Sequence, residues 1–195
     1  SIADLTLDAP INLQSVGIHS SGGTITFGAG SNGSSFDSNS AMLLTDTGLV
    51  LETDLAIPYL NLSGSSSILQ NDGTLTPAYL EISMDGELDF RAIDTTDTIL
   101  RLAGDSNITK TGGGPASELI LKEINIGGHI LTLIPDIVDL TAEAIYFTNY
   151  DENSADYLTN DAELRAEGVN INMTKRLWVD RGKITMGGGT LTLVQ

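Results

Sequence analysis

Asp46-Thr47-Gly48 spells the catalytic turn of an aspartic protease, a chemistry in which two carboxylates share one proton. No second Asp-Thr-Gly or Asp-Ser-Gly exists in the chain, so such an enzyme would need a dimer. Leu49 also stands where those proteases usually carry a hydroxyl or Ala. The tripeptide is equally a good β-turn, and we read it as one. Other catalytic equipment is absent. There is no Gly-x-Ser-x-Gly elbow, the usual seat of a nucleophilic serine. Gly112-Gly113-Gly114 runs into Pro115 and no Lys-Ser/Thr follows, so it does not cradle phosphate. His19 and His129 are the only imidazoles. Zinc would need both, with carboxylates converging on them. The chain has no Cys, which removes thiolate chemistry, Cys-based zinc sites and disulfides together.

Carboxylates are the remaining chemical resource. Asp151, Glu152, Asn153 and Asp156 fall within six residues, and Asp94, Asp97, Asp105 and Asn107 form a looser group. Hard oxygen ligands on a loop suit Ca²⁺, the one cofactor that these residue types suggest. Neither group has EF-hand or Gly-Gly-x-Gly-x-Asp spacing, and Asp and Asn are common as solvated turn residues. Glu81, Asp85, Glu87 and Asp89 would be the carboxylates of a glycosidase or polysaccharide lyase built on a β-solenoid. Simple alternation, however, already places acidic residues on an outer face. The expectation is a protein that is not an enzyme.

The charged residues are unevenly supplied: 26 Asp and Glu against 9 Lys and Arg, net −17. A surface of that sign repels phosphate backbones and disfavours anionic membranes. No apolar run reaches the length of a membrane span. Lys175, Arg176, Arg181 and Lys183 place four of the nine cations within nine residues, around the only tryptophan, Trp178. Trp and Arg are enriched at interface hot spots. A basic patch on an acidic chain therefore predicts head-to-tail docking of copies, a geometry that generates open filaments. A core Trp178 beside a solvated charged face is the alternative.

These residues sit on elements of one kind. The apolar phrase Φ-x-Φ recurs as Leu119-x-Leu121, Ile124-x-Ile126, Leu131-x-Leu133, Val138-x-Leu140, Leu164-x-Ala166, Val169-x-Ile171-x-Met173, Leu177-x-Val179, Ile184-x-Met186 and Leu191-x-Leu193. Period-two alternation is the strand signature. At 195 residues one core suffices. Aromatics are only 5%, which favours thin stacked layers filled by aliphatic side chains. The expectation is an all-β chain, either an elongated β-solenoid-like stack or a β-sandwich of many short strands. It spans 1–195 as one domain, with any subdomain break near 111–116. No strict repeat length emerges, so a regular hexapeptide solenoid is excluded.

Locally, Asp72-Gly73 and Asp85-Gly86 predict hairpin turns, the second within a hairpin over Tyr79–Ile93. Gly28–Ser40 predicts a flexible surface loop. Pro58 predicts that Tyr59–Leu62 lies at a sheet edge or begins after the proline. Ser154–Glu167 admits a short helix or a loop followed by the Leu164 strand. Strands lie near both chain ends, Leu5 with Leu7 and Leu191 with Leu193. Their edges predict strand addition between copies, unless each pairs within its own sheet. A chain opening on Ser1 reads as a mature form after leader cleavage, or as an excised piece.

Phrases such as Ile124-Asn125-Ile126-Gly127-Gly128 and Asp139-Leu140-Thr141-Ala142-Glu143 resemble those of secreted gammaproteobacterial pilus-system or filament proteins (FilA-like). The likeness is one of texture across most of the chain. It implies an exported subunit of a bacterial surface fibre, and it transfers no catalytic residue. The predicted partners are copies of the chain itself, with host or surface glycans as the alternative ligand. The predicted location is extracellular. An adhesin or a phage tail-fibre domain is the second reading.

Overall fold

A computed structural model describes residues 4–70, 72–111, 117–134, 136–147, 162–179 and 182–194. Twenty strands follow one another: β1 (Asp4–Leu7), β2 (Asn12–Leu13), β3 (Gly17–Ser21), β4 (Thr24–Phe27), β5 (Ser35–Phe36), β6 (Ala41–Thr45), β7 (Gly48–Leu51), β8 (Leu55–Gly64), β9 (Ser67–Gln70), β10 (Leu75–Met84), β11 (Glu87–Asp89), β12 (Ile99–Leu102), β13 (Ser106–Thr109), β14 (Ser117–Asn125), β15 (Ile130–Leu133), β16 (Ile137–Phe147), β17 (Ala162–Arg165), β18 (Asn170–Val179), β19 (Gly182–Thr185) and β20 (Leu191–Leu193). Two single 3₁₀ turns are the only helical pieces among the described residues.

The strands wind into a β-solenoid of about eight coils. A nine-stranded sheet runs β20-β18-β16-β14-β12-β10-β8-β6-β3. Beside it lie β1-β4-β7-β9 and, further along, β11-β13-β15-β17-β19. Pairing is parallel between coils: Tyr79 stands between Tyr59 and Ile99, Leu80 between Leu60 and Leu100. The long strands bend midway. In β8, Leu55 and Ile57 point inward, then the phase slips and Leu60 and Leu62 do. Each full coil therefore has three straight runs. We name the first run (Leu55–Ile57 in β8), the second (Tyr59–Ser63) and the third (β9 and its equivalents).

Stacking of like residues fills the centre. Leu60, Leu80, Leu100 and Ile124 are fully buried, as are Leu62 and Ile82. Each apolar side chain so removed from water contributes about 1.5–3 kcal/mol. Phe27, Phe90 and Phe147 are buried in the same interior.

Several local expectations are corrected. The Tyr79–Ile93 hairpin does not form: β10 pairs with β8 and β12, while β11 pairs with β13. Asp85-Gly86 is a corner between runs, and so is Asp72-Gly73, which leads from β9 into a strand parallel to β8. Pro58 lies within β8, inside the nine-stranded sheet. It occupies the bend, where the ladder passes from Ile57↔Pro77 to Tyr59↔Tyr79. A residue without an N–H is tolerated at that unpaired step. Gly28–Ser40 is built into the first coils: β5 pairs with β2, and the Ser34 hydroxyl accepts from Ile11 N at 3.1 Å. In Val138-x-Leu140, Val138 is exposed and Ile137 is buried instead, because a bulge opposite Ser117/Glu118 shifts the register. The described end of Ser154–Glu167 is strand β17. The segment Gly112–Pro115 lies outside the described residues.

Candidate functional site

The terminal coils carry the features that could engage another molecule. At the C-terminal end, β20 pairs with β18 only along Ile171–Met173. Arg176, Leu177, Trp178 and Val179 of β18 therefore face an open edge, and β19 is the last strand of its sheet. Trp178, Val179, Leu191, Leu193 and Val194 are each at least 40% exposed. A row of unpaired N–H and C=O groups flanked by apolar side chains is a template for a further strand.

The predicted basic patch divides. Lys175 Nζ lies 2.6 Å from Glu143 Oε2 and Lys183 Nζ 3.2 Å from Glu163 Oε1, so both cations are neutralised across neighbouring coils. Arg176 has no ion pair among the described residues. Arg181 lies outside them. The Trp178 side chain points outward, away from the core.

At the opposite end, Leu5 and Leu7 of β1 are half-buried against the core. Leu5, Ile18, His19, Ser20, Ser21, Thr24 and Ile25 line an opening of about 170 Å³. No Lys or Arg occurs before Arg91, while eleven Asp and Glu do. Lys175, Arg176, Arg181 and Lys183 oppose the single Asp180 in the final 25 residues. The first coils are thus acidic, and the last is richer in cations than in anions by sequence, with Lys175 and Lys183 already paired to Glu143 and Glu163.

Glu163 is the most constrained carboxylate. Its side chain is 8% exposed, and it accepts from Arg165 at 3.0 Å, Lys183 at 3.2 Å and the Thr185 hydroxyl at 2.9 Å. The Arg165 guanidinium, with Thr185 and Lys183, lowers its pKa to about 2, against the opposing effect of burial. A carboxylate so held stays ionised and fully bonded, which suits pinning β17 to β19 rather than proton transfer.

Several other carboxylates, some of the candidates among them, hold coils together. Asp8, Asp46, Asp54, Asp89 and Asp105 each accept a backbone N–H from the next coil: Gly30, Ser65, Thr74, Thr111 and Ile130. Asn170 does the same for Thr190. Asp46 of the protease-like tripeptide is one of these, and its Thr47 is fully buried. Asp94 closes its own turn through Thr96 N and Oγ1. The glycosidase set is split: Glu81 lies on the second run with Asn61 and Arg101, whereas Glu87 and Asp89 begin the third. His129 Nδ1 is 3.9 Å from Asp105 Oδ1. His19 lies at the opposite end, so the two imidazoles do not meet. Among the described residues no three His, Asp or Glu side chains converge as a metal site. Asp151, Glu152, Asn153 and Asp156 lie outside the described residues.

What the sequence reading missed is the use of corner carboxylates as inter-coil acceptors. Its signal was present: the bonds span 19 to 25 residues, the length of a coil. Comparison with family models, with curated proteins and with solved structures finds no match.

Proposed function

We propose that this chain is a non-enzymatic structural subunit of an extracellular bacterial filament, in which copies stack coil upon coil. The observation that carries the reading is that the two ends of the solenoid differ. The last coil offers an open strand edge with Trp178, Val179, Leu191 and Leu193 exposed, and Arg176 unpaired among the described residues. The first coils offer the outer edges of β1 and β3, with Leu5 and Leu7 half-buried, on a segment without any cation. A contact between two different surfaces is heterologous and propagates without closing. Parallel strand addition would continue the solenoid across the junction. The overall acidity keeps the flanks of such fibres apart.

Electron microscopy with light scattering at rising concentration tests this. Fibres of solenoid width are expected at low salt. Replacing Leu193→Asp should leave a β-rich monomer and abolish the fibres. Monomers at every concentration and salt, with Leu193→Asp indistinguishable from the parent chain, would overturn the reading.

A further inference from the structure

We infer that the second run of the solenoid is a binding strip for a neutral, unbranched polysaccharide lying along the solenoid axis. The inference rests on the flank of the coils, and only Trp178 and Arg176, at its C-terminal end, also border the proposed junction between copies.

The aromatic residues sort by chemistry. Phe27, Phe90 and Phe147 are buried in the core. All three described tyrosines, Tyr59, Tyr79 and Tyr146, and the sole tryptophan lie instead on the outer side of the second run. Rings with a polar handle belong where one end is apolar and the other wet. Here they are aligned by register. One column reads Tyr59, Tyr79, Ile99, Glu123, Ala144, Arg176, and the column beside it reads Asn61, Glu81, Arg101, Asn125, Tyr146, Trp178. Two adjacent rings thus stand at each end of the strip, with amide, carboxylate and guanidinium groups between them. At a strand spacing of about 4.8 Å, the strip from β8 to β18 covers about 24 Å.

That arrangement matches a carbohydrate in two respects. The C–H face of a pyranose ring stacks on an aromatic ring, and its rim hydroxyls bond to amides, carboxylates and guanidinium groups. Tyr79 and Trp178 are each 52% exposed, with ring surface to offer. Asn61 Nδ2 donates to Glu81 Oε1 at 2.8 Å, and Arg101 Nε lies 3.6 Å from Glu81 Oε2. These polar groups are therefore oriented before any ligand arrives, which reduces the ordering cost of binding.

Charge selects the class of glycan. Glu81 and Glu123 are offset by Arg101 and Arg176, so the strip is close to neutral on a chain of net charge −17. A uronic-acid polymer would be repelled by the surrounding surface, whereas a neutral chain is not. A second copy docking flank to flank meets the same repulsion.

The test is calorimetric titration with cellohexaose, chitohexaose and polygalacturonate, with Trp178 fluorescence read in parallel. At least one neutral hexasaccharide should bind saturably and perturb the fluorescence, and polygalacturonate should not bind. Tyr79→Ala, remote from the terminal coils, should weaken binding about tenfold while circular dichroism and fibre formation stay as in the parent. Tyr79→Phe should retain most of the affinity. No saturable binding to either neutral probe would overturn the inference, as would binding indifferent to Tyr79→Ala and Tyr146→Ala. Lateral self-association abolished by Tyr79→Ala, without glycan binding, would also overturn it and assign the strip to a second copy. Each of these outcomes leaves the filament reading standing, because Tyr79 is not at either end.

Discussion

Asp46 shows how a residue that spells catalysis can be structural. Its backbone has φ 50°, a left-handed conformation that Asp and Asn tolerate best among residues with a side chain. Its Oδ1 accepts Ser65 N at 2.8 Å, fastening one coil to the next. Gly64 is required beside it, since a Cβ there would lie 2.2 Å from that carboxylate oxygen at φ +64°. Asp46→Ala should cost about 1–2 kcal/mol, read as a lowered midpoint in urea, and Asp46→Asn should cost less. Glu163 gives the pH dependence. Its pKa is about 2 in the folded chain against an ordinary 4.5. A depressed carboxylate stabilises the fold above its unfolded pKa and loses that contribution as pH falls through the folded one. Melting temperature should therefore decline between about pH 4.5 and pH 2, and the decline should be shallower in Glu163→Gln. An identical pH profile in that variant would remove Glu163 from the account.

At the scale of elements, the governing feature is the coil. Asn61 reaches Glu81 across 20 residues, whereas Asn170 reaches Asp139 across 31. Variation in coil length, such as 24 residues from Ile18 to Met42 but 18 from Met42 to Leu60, is what hid the repeat from a search for fixed period. The corners allow it because only the straight runs must stay in register. Some corners nevertheless press closely on their neighbours. A Cβ on Gly73 would sit 2.1 Å from Thr53 O, a backbone atom that cannot swing aside. Gly73→Ala is expected to destabilise by about 1–3 kcal/mol, whereas Gly86→Ala, with open space around it, should be nearly neutral by the same unfolding measurement. The straight runs respond through the core. Leu80→Ala, at a fully buried position, should cost about 2–5 kcal/mol.

For the whole molecule, a parallel stack leaves the backbone groups of its outermost strands to water, so under the filament proposal its ends are where copies would meet. The acidic first coils and the cation-rich last coil give those ends opposite character. Charge steering of this kind weakens as the Debye length falls from about 10 Å at 0.1 M salt to about 3 Å at 1 M. If copies stack as proposed, fibre growth should slow at high salt, and Arg176→Glu should slow it at low salt. Growth rates unaffected by either change would assign the junction to apolar and main-chain contacts alone.

Alternation determined which residues line the interior along the regular strands of the covered coils: Leu80 and Ile82, Leu119 and Leu121, Val169, Ile171 and Met173 are all buried, whereas Leu191 and Leu193 of the last coil alternate but stay exposed. It failed at Val138, where a bulge changes the phase within a strand. Composition, with few aromatics and many aliphatics, likewise pointed to thin β layers. Partner choice was decided only in three dimensions. A strand such as β10 has the same alternating face in a hairpin or in a coil, because period two is a property of the strand and not of its neighbour. The Asp-Gly pairs suit a tight turn and a solenoid corner equally. What separated the two was the fit of Leu80 between Leu60 and Leu100, contacts 20 residues away in each direction, together with carboxylates such as Asp54 placed to bond the next coil. The same tertiary winding gathered Tyr59, Tyr79, Tyr146 and Trp178 onto one run. Their separations along the chain, 20, 67 and 32 residues, carry no period from which that neighbourhood could be read.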